Sequence, residues 1–136
     1  MKISDLINEQ KTFLTDQLGE GLMQLAQACD SCLDKELSFD HLNELLFSYM
    51  QHHQYTRLAY VLDTSGIQMS ANISKEAILP EFKGRDLSDR PFFNAVDEQH
   101  PIYISNTYIS RTSLKPCISM VHSICHNDQF VALLVF

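Results

Sequence analysis

The densest group of charged side chains lies in one short stretch, Gly84 to Phe93, which reads GRDLSDRPFF. It holds two arginines and two aspartates, followed by a proline and two phenylalanines. An arginine guanidinium offers five N–H donors in a planar fork that can bind a carboxylate at two points. An apolar wall beside such a pair lowers the local dielectric and strengthens it. A run of charges is nevertheless usually a solvated loop, so the stretch alone does not assign a site.

Cysteine and histidine side chains form a second candidate group. Cys29 and Cys32 make a C-x-x-C motif, and a zinc site could also draw on a C-terminal set. That set consists of Cys117, His122, Cys125 and His126. In a strand, however, residues three apart point to opposite faces, and a zinc ribbon has two closely spaced ligand pairs. A redox dithiol needs a lowered thiol pKa, which a helix end beside Asp30 and Asp34 does not favour. We expect neither a metal nor a cofactor.

The sequence has none of the short motifs that are typical of catalysis. It lacks a G-x-S-x-G nucleophile elbow, an H-E-x-x-H zinc motif and a glycine-rich phosphate loop, and it has only 4 glycines. Residues far apart in the sequence can still assemble a catalytic triad. We nevertheless predict a protein without enzymatic activity.

Length and charge limit the classes of function. The 136 residues suffice for one domain with its own core. The net charge of -7, from 10 Lys and Arg against 17 Asp and Glu, argues against binding to nucleic acid. No apolar run approaches the roughly 20 residues of a membrane helix. The opening MKISDLINEQ is too polar for a signal peptide. If Met1 is the native start, we expect a cytoplasmic protein with free thiols.

Two helices are predicted in the first part of the chain. Apolar residues recur at steps of three and four from Ile3 to Cys29, which predicts a long amphipathic helix from about Ser4 to the low thirties. Ser38 or Asp40 can cap a second helix. Its apolar face would consist of Leu42, Leu45, Leu46, Tyr49 and Met50.

From Arg57 the apolar period changes to that of strands. A hairpin is predicted around the T-S-G sequence, because Gly66 can supply the positive φ of a tight turn. Pro91 can open a short helix. The alternation in CISMVHSIC does not decide which face of that strand is buried. Five antiparallel strands are predicted over residues 58–63, 67–73, 101–110, 117–125 and 130–136.

These elements predict an α+β fold in which two helices pack on a five-stranded antiparallel sheet. Residues 1–54 would form the helical segment and residues 55–136 the sheet, within one domain. The apolar end, LLVF, is typical of a chain cut from a longer protein, because a terminal strand usually leads into polar residues.

The order of several segments from Tyr55 to Phe136 resembles the Cache (PDC) family of sensor domains, which are extended relatives of PAS domains. The segments are YVLDTSGIQMSANIS, GRDLSDRPFF, PIYISNTYIS, KPCISMVHSI and FVALLVF. The most specific element is D-R-P-F-F, followed by an aromatic-Ile-Ser strand and Ser/Thr-x-x-Pro. Most members lie between two transmembrane helices, so this chain resembles the smaller soluble set.

The resemblance implies a ligand pocket covered by the GRDLSDRPFF loop. Arg90 would bind a ligand carboxylate, or it would pair with Asp86 or Asp89 and fix the loop. Arg85 is expected to be solvated. The predicted ligand-binding residues are Arg90, Phe92, Phe93, Tyr103, Tyr108, Ser110 and His122. For His122 a core position is the alternative, and for the tyrosines a surface position.

The function implied is that of a small-molecule sensor, with an amino acid, another carboxylate or an amine as ligand. It would signal through dimerisation or a partner protein. A helix from Ile3 to Cys29 rises about 40 Å, more than the sheet can cover, so we expect a homodimer through this helix or a further domain. The alternative is a non-enzymatic interaction module with a collapsed pocket, which docks a partner through the long helix.

Overall fold

The structure is a computed structural model. It describes residues 2–3, 5–6, 8–9, 24–29, 39–52, 57–90, 92–97, 99–105, 108–109, 114, 116–126 and 129–135. The predictions for Cys32, Ser38 and Ser110 lie outside these residues.

The described residues contain two helices and eight strands, in an α+β arrangement. Residues 24–29 form α1, and Phe39–Gln51 form α2. The strands are β1 (Tyr60–Asp63), β2 (Asn72–Ile73), β3 (Ile78–Leu79), β4 (Ile102–Ile104), β5 (Tyr108–Ile109), β6 (Pro116–Cys117), β7 (Met120–His126) and β8 (Gln129–Val135). A 3-10 turn at Pro80–Phe82 follows β3.

The main sheet has four antiparallel strands in the order β1-β8-β7-β4. β8 lies inside the sheet, between β1 and β7, and Ala132, Leu133, Leu134 and Val135 on it are all buried. A strand buried on both faces reads as a continuous apolar run, which is why VALLV is apolar throughout. β2 pairs with β3, and β5 pairs with β6, in two separate short ribbons.

The prediction of a regular fifth strand over residues 67–73 is not confirmed. The segment runs antiparallel to β1, but only through the isolated bridges Ala59↔Ile73 and Leu62↔Gln68. Between these bridges the segment carries two more residues than β1 does, so the backbone bulges. The side chain of Ser70 fills the break, because its Oγ accepts the N–H of Val61 at 2.9 Å. Within the segment, only Asn72–Ile73 is a strand.

Both helices contribute to the core on one face of the sheet. On α2, Leu42, Leu46 and Met50 are buried, as predicted from their spacing. They pack in one cluster with Leu25, Ala26 and Cys29 of α1 and with Val61, Ile124, Ala132 and Leu134 of the sheet. We call this side of the sheet the helix face. No helix in the described part of the chain is both long and apolar enough to cross a membrane.

The long N-terminal helix is not confirmed. Residues 3, 5–6, 8–9 and 24–29 are helical. Residues 10–23 and 30–38 lie outside the described residues, so a continuous helix stays a prediction. Ile3 and Leu6 lie on its first part and are 76% and 48% exposed.

A buried amide joins α2 to the bulged segment. The Oδ1 of Asn43 accepts the backbone N–H of Ala71 at 3.0 Å. Asn43 is only 8% exposed. A buried N–H without a partner would be costly, so this bond compensates the backbone for the pairing that the bulge removes.

Candidate ligand-binding face

The second face of the sheet points away from the helices. Directly paired residues in a sheet share a face, and the pairs Tyr60↔Val135, Leu62↔Leu133 and Val121↔Val135 all belong to this side. Tyr103 pairs with Val121 and is half-buried against the same group. We call this side the loop face. Its residues in the sheet are Tyr60, Leu62, Tyr103, Val121, Leu133 and Val135.

Residues 84–90 and 92–97 belong to a loop that packs on the loop face. Leu87, Phe92 and Val96 are buried in the cluster that includes the sheet residues of this side. Phe92 therefore lies where an apolar wall was predicted, and Phe93 is half-buried. The predicted short helix after Pro91 is absent from 92–97, which form turns instead. Two of their hydrogen bonds run from Phe93 N–H to the Arg90 carbonyl and from Ala95 N–H to the Phe92 carbonyl.

The start of this loop is fixed by pairing with the turn after β1. The N–H of Leu87 donates to the Gly66 carbonyl at 2.8 Å, and the N–H of Gln68 donates to the Arg85 carbonyl at 2.8 Å. Gly66 has φ +86, which confirms the predicted hairpin turn. In that turn the Asp63 carboxylate accepts the N–H groups of Ser65 and Ile67. The base of the loop is thus held by the backbone.

Arg85 is anchored, contrary to the prediction that it is solvated. Its Nε and Nη2 atoms donate to the Gln68 Oε1 at 3.1 and 2.9 Å, and Nη2 also donates to the Asn72 Oδ1 at 3.2 Å. Its guanidinium carbon lies 4.8 Å from the centre of the Phe82 ring and 6.0 Å from that of Tyr60. Burial lowers the pKa of Arg85; Tyr60 offsets part of this effect, and the charge of Arg90 adds a smaller lowering. Arg85 is thus a fixed cation beside the loop face.

Arg90 lies on the same loop and is half-buried. Its guanidinium makes no hydrogen bond or ion pair with a side chain that the structure describes, including those of Asp86 and Asp89. The alternative in which Arg90 fixes the loop through one of these aspartates is therefore not observed. Among the described side chains, none occupies the guanidinium of Arg90.

Asp86 is occupied within its own turn. Its Oδ1 accepts the Ser88 hydroxyl at 2.6 Å and the Ser88 N–H at 2.9 Å. These two bonds to the charged form hold the pKa of Asp86 below its usual range, with the hydroxyl bond as the larger cause. The carboxylate is exposed and its partners are local.

Replacing Ser88 by alanine should raise the pKa of Asp86 towards that of an ordinary aspartate, because the larger of the two stabilising bonds is lost. A lowered folded-state pKa adds stability above the unfolded pKa and loses it as the pH falls through the folded pKa. Ser88→Ala should therefore narrow the pH interval over which this stability is lost, which lies between the folded and the unfolded pKa of Asp86. NMR titration of the side-chain carboxyl carbon measures the shift. Asp97, whose pKa is lowered by His100 and Gln99, is the internal control. An unchanged Asp86 pKa would contradict the assignment.

His122 does not belong to the loop face. It pairs with Leu134, which lies in the core cluster of the helix face. His122 is 9% exposed, and its Nδ1 lies 2.7 Å from the Ser123 carbonyl oxygen. A carbonyl only accepts, so Nδ1 carries the hydrogen and donates it. The structure thus places His122 on the helix face, in the core position that was the alternative prediction.

The remaining predicted residues are placed only in part. Tyr108 lies in β5, opposite Cys117, and its side chain is outside the described residues, as is Ser110. Cys29 is buried among the helices, while the half-buried Cys125 donates its S–H to the Ser123 Oγ at 3.8 Å. Among the residues that the structure describes, no three His, Cys, Asp or Glu side chains are grouped as metal ligands.

Solved structures share this architecture over almost the whole chain. A domain of a protein classed in the sensory box/GGDEF family, from Vibrio parahaemolyticus, has 21% identity and a TM-score of 0.72 over 96% of this chain. The extracellular domain of vpHK1S-Z8, classed as a histidine kinase, has 21% identity and a TM-score of 0.70 over 96%. The ligand-binding domain of the Campylobacter jejuni chemoreceptor Tlp3, bound to 4-methylisoleucine, has 16% identity and a TM-score of 0.55 over 97%. The fold is that of the Cache/PDC-like sensor domains.

The chain spans about half the length of these Cache-like structures, namely 56%, 53% and 58% of them in the same order. No protein-family model matches the chain, and no curated protein matches its sequence. The likeness therefore establishes the fold.

Within this Cache-like fold, sequence reasoning missed Arg85 as a fixed cation. The available signal was the polar alternation of Gln68, Ser70 and Asn72 in a strand-like run. These three residues are buried, and Gln68 is only 1% exposed. A buried amide row beside an arginine indicates a polar network rather than a solvated edge.

Proposed function

We propose that this chain is a small-molecule-binding sensor domain whose ligand is an amino acid, another carboxylate or an amine. The observation that carries the proposal is the guanidinium of Arg90, which has no partner among the described side chains and follows the buried Leu87 on the loop that covers the loop face. Fixed polar groups beside apolar walls are typical of ligand sites. The neighbour bound to 4-methylisoleucine supports an amino acid as ligand class.

In this proposal the ligand carboxylate binds Arg90, while Phe92 and Tyr103 contribute the apolar wall. Phe93 borders the site, and Tyr108 and Ser110 are proposed to complete it from the β5 side. The domain has no catalytic step of its own. Ligand binding alters its interaction with a partner or a second copy.

A thermal-shift screen with amino acids, organic acids and amines tests this function. A ligand at 100 times its Kd should add about 2.7 kcal/mol to the free energy of unfolding, because it binds only the folded state. We expect at least one carboxylate compound to raise the melting temperature. If no compound in a broad screen raises the melting temperature, the interaction module with a collapsed pocket is favoured instead.

We also propose a homodimer through the N-terminal helical residues. Ile3 and Leu6 support this, since they are large apolar side chains that this chain leaves exposed. Light scattering at micromolar concentration should give twice the mass of one chain. A monomer would contradict the dimer and leave the ligand proposal intact.

A cytoplasmic location is likewise a proposal, supported by the free thiol of Cys125. The neighbour described as an extracellular domain favours the opposite side of the membrane. Protease protection in intact cells distinguishes the two, since a cytoplasmic chain resists protease until the cells are lysed.

A further inference from the structure

Arg85 is held in one orientation while part of its guanidinium stays unused. Three hydrogen bonds to Gln68 and Asn72 employ Nε and Nη2, and the Phe82 ring packs at 4.8 Å. The two N–H groups of Nη1 make no hydrogen bond with the described residues. A donor pair that is fixed in advance costs little entropy when it binds a second group.

The positive charge of Arg85 is not neutralised by its partners. Gln68 and Asn72 supply neutral amide oxygens, and no ion pair joins Arg85 to a carboxylate that the structure describes. Arg90 follows Arg85 by five residues on the same loop and brings a second positive charge to it. In a chain with 17 acidic and 10 basic side chains, an acidic partner would be easy to supply. Two cations on one loop that have no acidic partner among the described residues suit an external dianion.

Arg85 also borders the same surface as the proposed site. Its guanidinium lies 6.0 Å from the ring of Tyr60, and Tyr60 belongs to the cluster that contains Phe92. The hydrogen bond from Gln68 N–H to the Arg85 carbonyl keeps its backbone beside the sheet edge. Arg85 therefore borders the loop face, and Arg90 follows it by five residues on the loop whose Leu87 and Phe92 pack on that face.

We propose that Arg85 is a specificity-determining residue, which binds a second acidic group of the ligand while Arg90 binds the first. The ligand class is then small molecules with two carboxylates. This proposal rests on the proposed function and narrows it, because a single-carboxylate ligand would leave Arg85 uncompensated. Either an acidic amino acid or a plain dicarboxylic acid has the required chemistry.

Three probes of one carbon skeleton separate these possibilities: L-glutamate, glutarate and L-glutamine. Glutamine lacks the second charge, and glutarate lacks the ammonium group. Titration calorimetry on the wild-type chain should show glutamate or glutarate binding at least about tenfold more tightly than glutamine, because a charge-assisted hydrogen bond is lost with the amide. If glutamate binds more tightly than glutarate, the ligand is an acidic amino acid. If glutarate binds more tightly, it is a plain dicarboxylic acid.

Arg85→Gln should weaken the binding of glutamate and glutarate and leave the affinity for glutamine nearly unchanged. The ratio of the two affinities should then fall to about one. Arg57→Gln removes the same charge from an exposed arginine and should keep the preference. Equal weakening of all probes by Arg85→Gln would show a structural role and overturn the proposal. Glutamine binding the wild type as tightly as the dianions would overturn it without any variant, even if Arg85→Gln fails to fold. In both cases binding persists, so the sensor function stands; that function fails only if the whole ligand panel gives no binding.

Discussion

Gly66→Ala should destabilise the domain by about 2–5 kcal/mol. Gly66 has φ +86, a left-handed backbone that costs an L-residue roughly 1–2 kcal/mol. A Cβ at this position would lie 2.8 Å from the Cα and Cβ of Ser88 and 2.9 Å from its backbone nitrogen. Backbone cannot move aside as a flexible side chain can, and overpacking typically costs 1–3 kcal/mol, to be added to the first cost.

The damage from Gly66→Ala should extend to the loop face. The Gly66 carbonyl accepts the N–H of Leu87 at 2.8 Å, and the side chain of Leu87 is buried in the loop-face cluster. Displacing Ser88 would shift Leu87 and then Arg90, which follows it. We therefore expect ligand binding to weaken together with stability.

Gly84→Ala is the matched control. Gly84 also has a positive φ, +92, but a Cβ there would meet nothing within 4 Å. Only the backbone cost of roughly 1–2 kcal/mol should apply. Urea unfolding of both variants measures the difference in stability, as the shift of the midpoint urea concentration when the m-value is unchanged. Equal losses for Gly66→Ala and Gly84→Ala would show that the contact with Ser88 carries no weight.

Local patterns predicted the elements whose determinants are local. The apolar face of α2 follows from the spacing of Leu42, Leu46 and Met50, and all three are buried. The hairpin follows from Gly66, because few residues other than glycine adopt its φ readily. The strand β1 lies within its predicted segment, while β7 and β8 each extend one residue beyond theirs.

The bulge and the anchored arginine depend on contacts between distant positions. Residues 67–73 alternate as a strand does, and the sequence does not reveal that the Ser70 hydroxyl replaces a backbone acceptor. Arg85 reaches Gln68 and Asn72, which are 17 and 13 residues away. Flanking residues, which were the basis for predicting a solvated Arg85, carry no information about those partners.

The face of His122 could not be predicted because apolar residues occur on both sides of β7. Val121 packs on the loop face, while Ile124 packs on the helix face. In a strand buried on both sides, alternation loses its meaning. The pairing with Leu134 decides the question, and pairing is a property of the folded sheet.

Arg90→Ala should weaken carboxylate binding by at least about 100-fold. A two-point bond between guanidinium and carboxylate contains charge-assisted hydrogen bonds worth about 1.5–3 kcal/mol each, and every 1.4 kcal/mol is tenfold in Kd. The unliganded variant should melt close to the wild type, because Arg90 has no acidic partner among the described residues that its loss would leave unpaired. Arg90→Lys should recover part of the affinity, since lysine keeps the charge and loses the planar fork.

Arg57→Ala is the control for this variant, because Arg57 is an exposed arginine outside the loop. It should leave both the melting temperature and the affinity unchanged. A lower melting temperature of unliganded Arg90→Ala would instead indicate that Arg90 fixes the loop.

The central claim is that the loop face binds a small acidic ligand through Arg90. Titration calorimetry of the wild type and Arg90→Ala, with the compound that gives the largest thermal shift, tests it most directly. We expect saturable binding to the wild type and at least about 100-fold weaker binding to the variant, with equal melting temperatures in the absence of ligand. Equal affinity of the two proteins for that compound would contradict the claim.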